Sequence, residues 1–161
     1  MKVRVRRAVR FDAAIACAIV RRSIEELCVE DHAGDESTLA AWLADKTRSN
    51  FEALIHSDRN IAVVAESAEI VGFALLNLNG TLARRYVSPS ARFSGVGKAM
   101  LFDLEKRAAE AGIERITLKS TATARRFYSA CGYEPDGGPG DGFGLSKGYP
   151  MSKRLTRVVP T

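Results

Sequence analysis

Tyr86-Val87-Ser88-Pro89-Ser90-Ala91-Arg92-Phe93-Ser94-Gly95-Val96-Gly97-Lys98 is the stretch on which the reading of this chain turns. An extended run, Thr81–Ser88, stops at Pro89, which cannot donate to a ladder. A short loop with two glycines follows, and a helix opens at the second with its first amide N–H groups unpaired and pointing outward. Such a terminus is an anion site by construction. A lone Gly-x-Gly would be read as a tight strand-to-helix turn and nothing more. Two nucleotide fingerprints fail on single residues. A dinucleotide-binding loop needs a third glycine where Met100 stands, and a P-loop ending at Gly97-Lys98 needs glycine at Arg92 and a hydroxyl at Ala99. Phosphate binding survives without either of those folds.

Working outward, Gly95 to Ala111 has helical periodicity, with Met100, Leu101, Leu104 and Ala108 on one face and Gly112 as the stop. Ile113–Lys119 reads as a strand, Ala122–Cys131 as a helix closed by Gly132, and Met151–Leu155 as a last strand. Upstream, Ile61–Ala65 and Ile70–Leu76 are β-rich runs joined through Glu66–Glu69, and Asn79-Gly80 makes the next turn. The opening residues alternate loosely from Val3 to Val9. Asp12 stands where a helix N-cap is expected, and Ile15, Ile19, Ile24 and Leu27 carry the helical stripe to Cys28, where an acidic loop, Glu30–Glu36, ends it. Leu39, Trp42 and Leu43 predict a second helix, and Phe51–Ile55 a short third. Residues 132–148 hold seven of the thirteen glycines and read as loop; within them 136–144 is a hairpin tip or a lid over the second substrate. The order describes an α/β (α+β) fold: one domain over 1–161, core about 3–155, with a mixed central sheet of about seven strands and helices on both faces.

A chain of 161 residues can bury a real core, and none of its apolar runs approaches the ~18 residues of a membrane span. Three cysteines, Cys17, Cys28 and Cys131, lack metal-like spacing, and no secretory leader pattern precedes them, so a reducing cytoplasm is the expected compartment. The net charge of +5 divides unevenly: +6 over residues 1–22, −6 over 23–60 and +5 over 61–161, with +6 in 84–126 alone. An anionic ligand belongs with 84–126. A nucleic-acid-coating surface is disfavoured, because only 7% of residues are aromatic and the basic density gathers around the glycine loop.

Arg92-x-x-Gly95-x-Gly97, preceded by Tyr86-Val87-x-Pro89, resembles the acyl-coenzyme A signature of the GNAT superfamily of N-acetyltransferases, and Thr121-x-x-Ala124-x-x-Phe127-Tyr128-x-x-x-Gly132-Tyr133 is similar to that family's later helix-and-turn motif. The likeness is clear over 70–134 and holds in outline over 3–155. It implies two splayed central strands with coenzyme A between them. The amides of Phe93, Ser94, Gly95, Val96, Gly97 and Lys98, with Arg92, hold the pyrophosphate. The backbone of Tyr86 and Val87 pairs with the pantetheine arm, and the Val87 N–H polarises the thioester carbonyl. The later motif brings Thr121, Ala124 and Arg125 to the cofactor. Acetyl-coenzyme A is the implied co-substrate, with no metal. A small-molecule primary amine is the preferred acceptor and a protein amine the second; dimers are common in the family. Tyr149–Leu155 resembles the last strand of small bacterial members.

By the same resemblance Tyr128 is the general acid for the departing thiolate, its ordinary pKa of about 10 being well matched to an alkyl thiol; the plainer reading, that Phe127-Tyr128 packs a helix onto the sheet, fits Phe127. Two positions depart from the family pattern. Thr121 replaces the usual asparagine, and Thr81–Ser88 contains no carboxylate where many members carry a general base. Glu25, Glu26, Glu30, Asp31 and His32 edge the expected acceptor site and are alternatives through water, although a solvated helix face explains each one alone. Because Ser23–Asp45 contains no Lys or Arg and seven carboxylates, a cationic acceptor is the matching expectation. Arg84 and Arg85 are strand neighbours, so at most one faces the cofactor. The cysteines carry no nucleophile signal, which predicts direct transfer in a ternary complex. The missing strand carboxylate leaves a competitor from another class: a coenzyme A-binding regulatory domain without catalysis.

Overall fold

The computed structural model describes residues 2–92, 94–140, 142 and 147–156. Seven strands, β1 (Arg4–Arg7), β2 (Asn60–Ser67), β3 (Glu69–Asn77), β4 (Leu82–Val87), β5 (Arg115–Ser120), β6 (Glu134–Pro135) and β7 (Tyr149–Arg154), alternate with six helices. These are α1 (Ala13–Leu27), α2 (Val29–His32), α3 (Glu36–Leu43), α4 (Arg48–His56), α5 (Val96–Glu110) and α6 (Arg125–Ala130). Every ladder is antiparallel. The strands form two leaves, β1-β2-β3-β4 and β5-β7-β6, joined among the described residues by one parallel bridge between Thr81 and Thr117, with the Thr117 N–H donating to Gly80 O at 2.9 Å. Beyond that bridge β4 and β5 diverge.

Two apolar layers hold the first leaf. On one face α5 sets Met100, Leu101, Leu104 and Ala108, all fully buried, against Val63, Ala74 and Leu76 of the sheet. The three large side chains contribute about 2 kcal/mol each by the area they remove from water. On the other face α1 and α4 cover Val64, Phe73 and Leu75, with Phe51 and Phe73 in contact at 5.3 Å between ring centroids. The stripe of α1 differs from the expected one: Ile15 is half exposed, and Ala13, Ala16, Cys17, Val20 and Ile24 face the sheet. Small residues in the first two turns bring the helix axis close to the strands, and Ile15 falls off the seam.

Four further expectations are corrected. Asp12 does not cap α1 with its side chain; its carboxylate accepts from the Val9 N–H and from Arg6, locking a 3₁₀ turn over Arg10–Asp12 ahead of the helix. The acidic loop contains a helical turn, Val29–His32, stopped by Ala33 at φ +52°. Helix α6 begins at Arg125 rather than Ala122, because residues 122–124 form a turn in which the Ala124 N–H donates to Thr121 Oγ1. Glu134–Pro135, read as loop, pairs at the edge of β7, where the missing proline N–H costs nothing. Gly140, within 136–144, and Gly148 exchange two backbone hydrogen bonds of 3.0 Å as an isolated antiparallel bridge; Asp141, Phe143 and Gly144 lie outside the described residues. Among the described residues, no helix is long and apolar enough to cross a membrane.

Candidate functional site

The site grows from an irregularity in β4. Leu82 pairs with Leu76 and Arg84 with Leu75, so Ala83 is an extra residue, a β-bulge. Without it, Leu82 and Arg84 would share a face. With it, Leu82, Arg85 and Val87 face the α5 side, while Arg84 and Tyr86, opposite Leu75 and Phe73, face the α1 side. The same bulge turns β4 away from β5 just past the Thr81–Thr117 bridge. Ser88 N–H donates to Val71 O on β3 at 2.7 Å, so by strand alternation the Val87 N–H points to the opposite edge, into the opening.

That opening is a cavity of about 520 Å³, the size of a small-ligand site. One wall is β4 and the start of α5, the other is Leu118–Thr121 of β5 and its exit with Phe127 and Tyr128 of α6, and Ser23 and Leu27 of α1 with Cys28 just beyond it close the third side. At one end α5 begins. Gly95 sits at φ +84° with open space around it, the left-handed conformation that favours glycine, and the first helical bond runs from Ala99 N–H to Gly95 O. The amides of Val96, Gly97 and Lys98 therefore have no carbonyl a turn earlier in the helix to bond. Gly97 serves a different need: a Cβ there would lie 2.5 Å from Arg85 Nη1, so it admits a protein side chain and not only a ligand.

Arg85 is the most engaged residue of the cleft. Its Nε donates to the Tyr128 hydroxyl at 3.0 Å, and its guanidinium lies over the Phe127 ring at 3.9 Å. Tyr128 is buried and braced edge-to-face by Phe127 and Tyr133, and the Tyr133 hydroxyl donates to Glu105 at 2.9 Å. Because the guanidinium fills a lone pair of the Tyr128 oxygen, the phenolic hydrogen is left to be donated elsewhere. Charge in the cavity is one-sided: Arg84, Arg85, Arg92, Lys98 and Lys119 line it, and among the described residues no Asp or Glu does. Burial pushes the Cys28 thiol up to about 12, with Asp31 adding to the shift, and also raises Cys17, Cys131 and the Tyr86 hydroxyl.

A family model described as an acetyltransferase (GNAT) domain matches residues 28–155, most of the chain. The chain belongs to the GNAT acetyltransferase family. Among solved structures, a GCN5-related N-acetyltransferase from Rhodopseudomonas palustris superposes with a TM-score of 0.83 at 26% identity, covering 96% of this chain and 97% of that one. The PaiA N-acetyltransferase of Thermoplasma acidophilum, solved with coenzyme A, gives 0.79 at 20% identity over 96% and 100% of the two chains. An aminoglycoside 6′-N-acetyltransferase, also with coenzyme A, gives 0.72 at 18% over 98% and 99%; at these last identities the likeness is one of fold. No curated protein sequence matches the chain.

Within this GNAT domain Tyr86, Val87, Arg92, Ser94, Gly95, Val96, Gly97, Lys98, Thr121, Ala124 and Tyr128 all line the one cavity. Phe93 lies outside the described residues. Arg125 is not in the lining; its guanidinium stacks on Tyr149 at 4.0 Å. Thr121 spends its oxygen on the Ala124 N–H, though its own hydrogen stays available. Of the acidic-segment residues, Glu25, Glu26 and Glu30 are exposed and outside the lining, and Glu26 pairs with Arg22 at 3.3 Å. His32 is structural: Nδ1 accepts from Gly34 N–H and Nε2 donates to Ile24 O, tying α2 to the end of α1. Asp31 is fully buried and accepts from Thr123 Oγ1 at 3.4 Å, joining α2 to the turn before α6. The first-leaf lining residues Ser23, Leu27 and Cys28, and Lys119 across the cleft, carried no motif. Arg85 was visible as one of two neighbouring arginines, but only the bulge says which of them reaches Tyr128. Among the described residues no group of three or more His, Cys, Asp or Glu side chains is gathered as a metal site requires.

Proposed function

We propose that this GNAT protein transfers the acetyl group of acetyl-coenzyme A directly to the primary amine of a small molecule bound in the same cleft. The observation that carries the reading is the cleft itself: an unpaired strand edge at Val87, a helix N-terminus at Val96–Lys98 and a buried phenol at Tyr128 converge on one cavity. The α5 amides, with Arg92 and Lys98 beside them, suit the pyrophosphate. The β4 edge suits the pantetheine arm as an added strand, and the Val87 N–H suits the thioester oxygen. The neutral amine nitrogen attacks the carbonyl carbon, the carbon–sulfur bond breaks, the coenzyme sulfur takes the Tyr128 proton, and the nitrogen sheds a proton to solvent, from which the Tyr128 phenolate recovers its own. Arg85, donating to the phenol oxygen, keeps the hydroxyl hydrogen aimed away from itself and sets positive charge beside the growing thiolate. The buried, upward-shifted cysteines support direct transfer over an acetyl-enzyme. Free thiols at Cys17, Cys28 and Cys131 are in keeping with a cytoplasmic enzyme.

The absence of any carboxylate among the described lining residues favours one competitor, a coenzyme A-binding domain without turnover. Thiol release from acetyl-coenzyme A across an amine panel, with the product identified by mass, separates the two. The transferase releases thiol and an acetylated amine in equal amounts; thermal stabilisation by coenzyme A with no thiol release above background selects the binding domain.

A further inference from the structure

The two arginines on β4 and the lysine on β5 divide the cavity by face. Arg85 belongs with Gly97, Phe127 and Tyr128, on the α5 side. Arg84 projects to the opposite face. Lys119 does too, because its strand neighbours Ile116 and Leu118 fill the α5-side core and residues two apart share a face. Counted from the Thr81–Thr117 bridge, Lys119 is two residues along β5 and Arg84 three along β4, the bulge at Ala83 absorbing the difference. The two cations thus stand level with each other across the cleft, on the α1 side, away from the helix terminus suited to phosphate.

Neither charge is fully matched by the protein. Arg84 Nε is buried with no hydrogen-bond partner among the described residues. Its guanidinium reaches Asp45 Oδ2 only at 3.8 Å, a long ion pair, while the other oxygen of that carboxylate bonds Lys46 at 2.6 Å. The side chain of Arg84 is only 18% exposed, and its guanidinium rests 5.6 Å from the Phe51 ring centroid. Holding a desolvated guanidinium with an open donor is costly unless an anion completes it. Lys119 is exposed to the cavity and engages no carboxylate within salt-bridge distance among the described residues. Among the described residues nothing acidic lines this half.

We infer that the acceptor is an amine that also bears an anionic group, a carboxylate or a phosphate, which Arg84 and Lys119 hold from the two sides of the cleft. The inference rests on the acetyltransferase reading and names its substrate class. It replaces the cationic acceptor that the acidic segment suggested, since those carboxylates stand outside the cavity. It also disfavours a protein N-terminus, which presents an amide where the anion would be.

The test is a set of matched pairs: L-amino acids and ω-amino acids against their carboxamides, and O-phosphoethanolamine against ethanolamine, with acetyl-coenzyme A saturating. The anionic member is expected to have the higher kcat/KM by about 10- to 100-fold, the range of one or two charge-assisted hydrogen bonds. Whichever of the carboxylate and phosphate pairs shows the larger ratio identifies the anion. In Arg84→Gln and Lys119→Gln the ratio should collapse toward one through a raised acceptor KM. Lys119→Gln keeps the test alive if Arg84→Gln does not fold, as judged by circular dichroism. Equal or better use of the neutral partners overturns the inference while leaving the transferase reading intact. Weaker acetyl-coenzyme A binding in both variants with an unchanged ratio assigns the two cations to the cofactor and also overturns it. No turnover with any amine removes the underlying reading instead.

Discussion

The two faces of β4 receive the same residue and use it in opposite ways. On the α5 face Arg85 has its Nε on the Tyr128 oxygen, its plane on Phe127 and its edge against Gly97. On the α1 face Arg84 has a buried Nε with no hydrogen-bond partner among the described residues and a long ion pair to Asp45, whose other oxygen bonds Lys46. The Nε that meets a phenol oxygen positions a neighbour, and the Nε left open is the donor proposed to meet a ligand. Which arginine takes which face is set by one inserted residue, Ala83, which resets strand parity between Leu82 and Arg84.

The largest expected effect tests the Arg85 face. Tyr128→Phe removes the proton donor and leaves the ring that Phe127 and Tyr133 brace, so kcat should fall about 100- to 1,000-fold with KM for acetyl-coenzyme A little changed. Steady-state kinetics at saturating amine measures this, and an unchanged kcat would return Tyr128 to a packing role. Next is Arg85→Leu, which keeps the stem over Phe127 but removes the donor to the phenol. It should lower kcat about 10-fold with KM for acetyl-coenzyme A little changed, whereas an arginine that only packs against Phe127 would leave kcat alone. Arg85→Lys should restore part of kcat by returning the charge without the planar fork.

Much of this arrangement was legible before any coordinates. The loop from Tyr86 to Lys98 and the block from Thr121 to Tyr133 meet in one cavity, and the stripe Met100, Leu101, Leu104 and Ala108 is wholly buried. These are local signals: a proline stop, glycine positions and a helical period lie within a few residues of what they determine. The expectations that failed depend on partners distant in sequence. Asp12 looked like a cap because its true partners, Arg6 and the Val9 N–H, require β1 and the turn to be in place. Arg125 looked like a phosphate ligand until Tyr149 on β7 took its guanidinium. The bulge at Ala83 leaves no mark in composition or period, yet it decides which arginine reaches Tyr128. His32, a plausible base by residue type, is spent on backbone groups of α1 and α2.

The smallest expected effect on turnover is also the control that separates the cleft from the frame. Asp12 is buried at the far end of the first leaf, where Arg6 donates to both its oxygens at 2.8 and 3.0 Å and the Val9 N–H adds a third bond of 2.8 Å; Arg6 also bonds Glu66 on β2. These donors, the Arg6 hydrogen bonds first, hold the Asp12 carboxyl below the ordinary range. A depressed folded-state pKa means that the ionised form is favoured by folding. Its contribution is therefore complete above the unfolded value of about 4 and is lost as pH falls through the lower folded value. Asp12→Asn should cost about 2 kcal/mol at pH 7, roughly 4–8 °C in Tm for a domain of this size. The gap between variant and wild type should hold down to about pH 4 and then close, because the wild type loses the same charge there. Neither arginine of β4 touches this network, so kcat and the anionic-to-neutral acceptor ratio should stay at wild-type values below the melting range. A pH-independent gap in Tm would mean that Asp12 acts through packing and not through its charge.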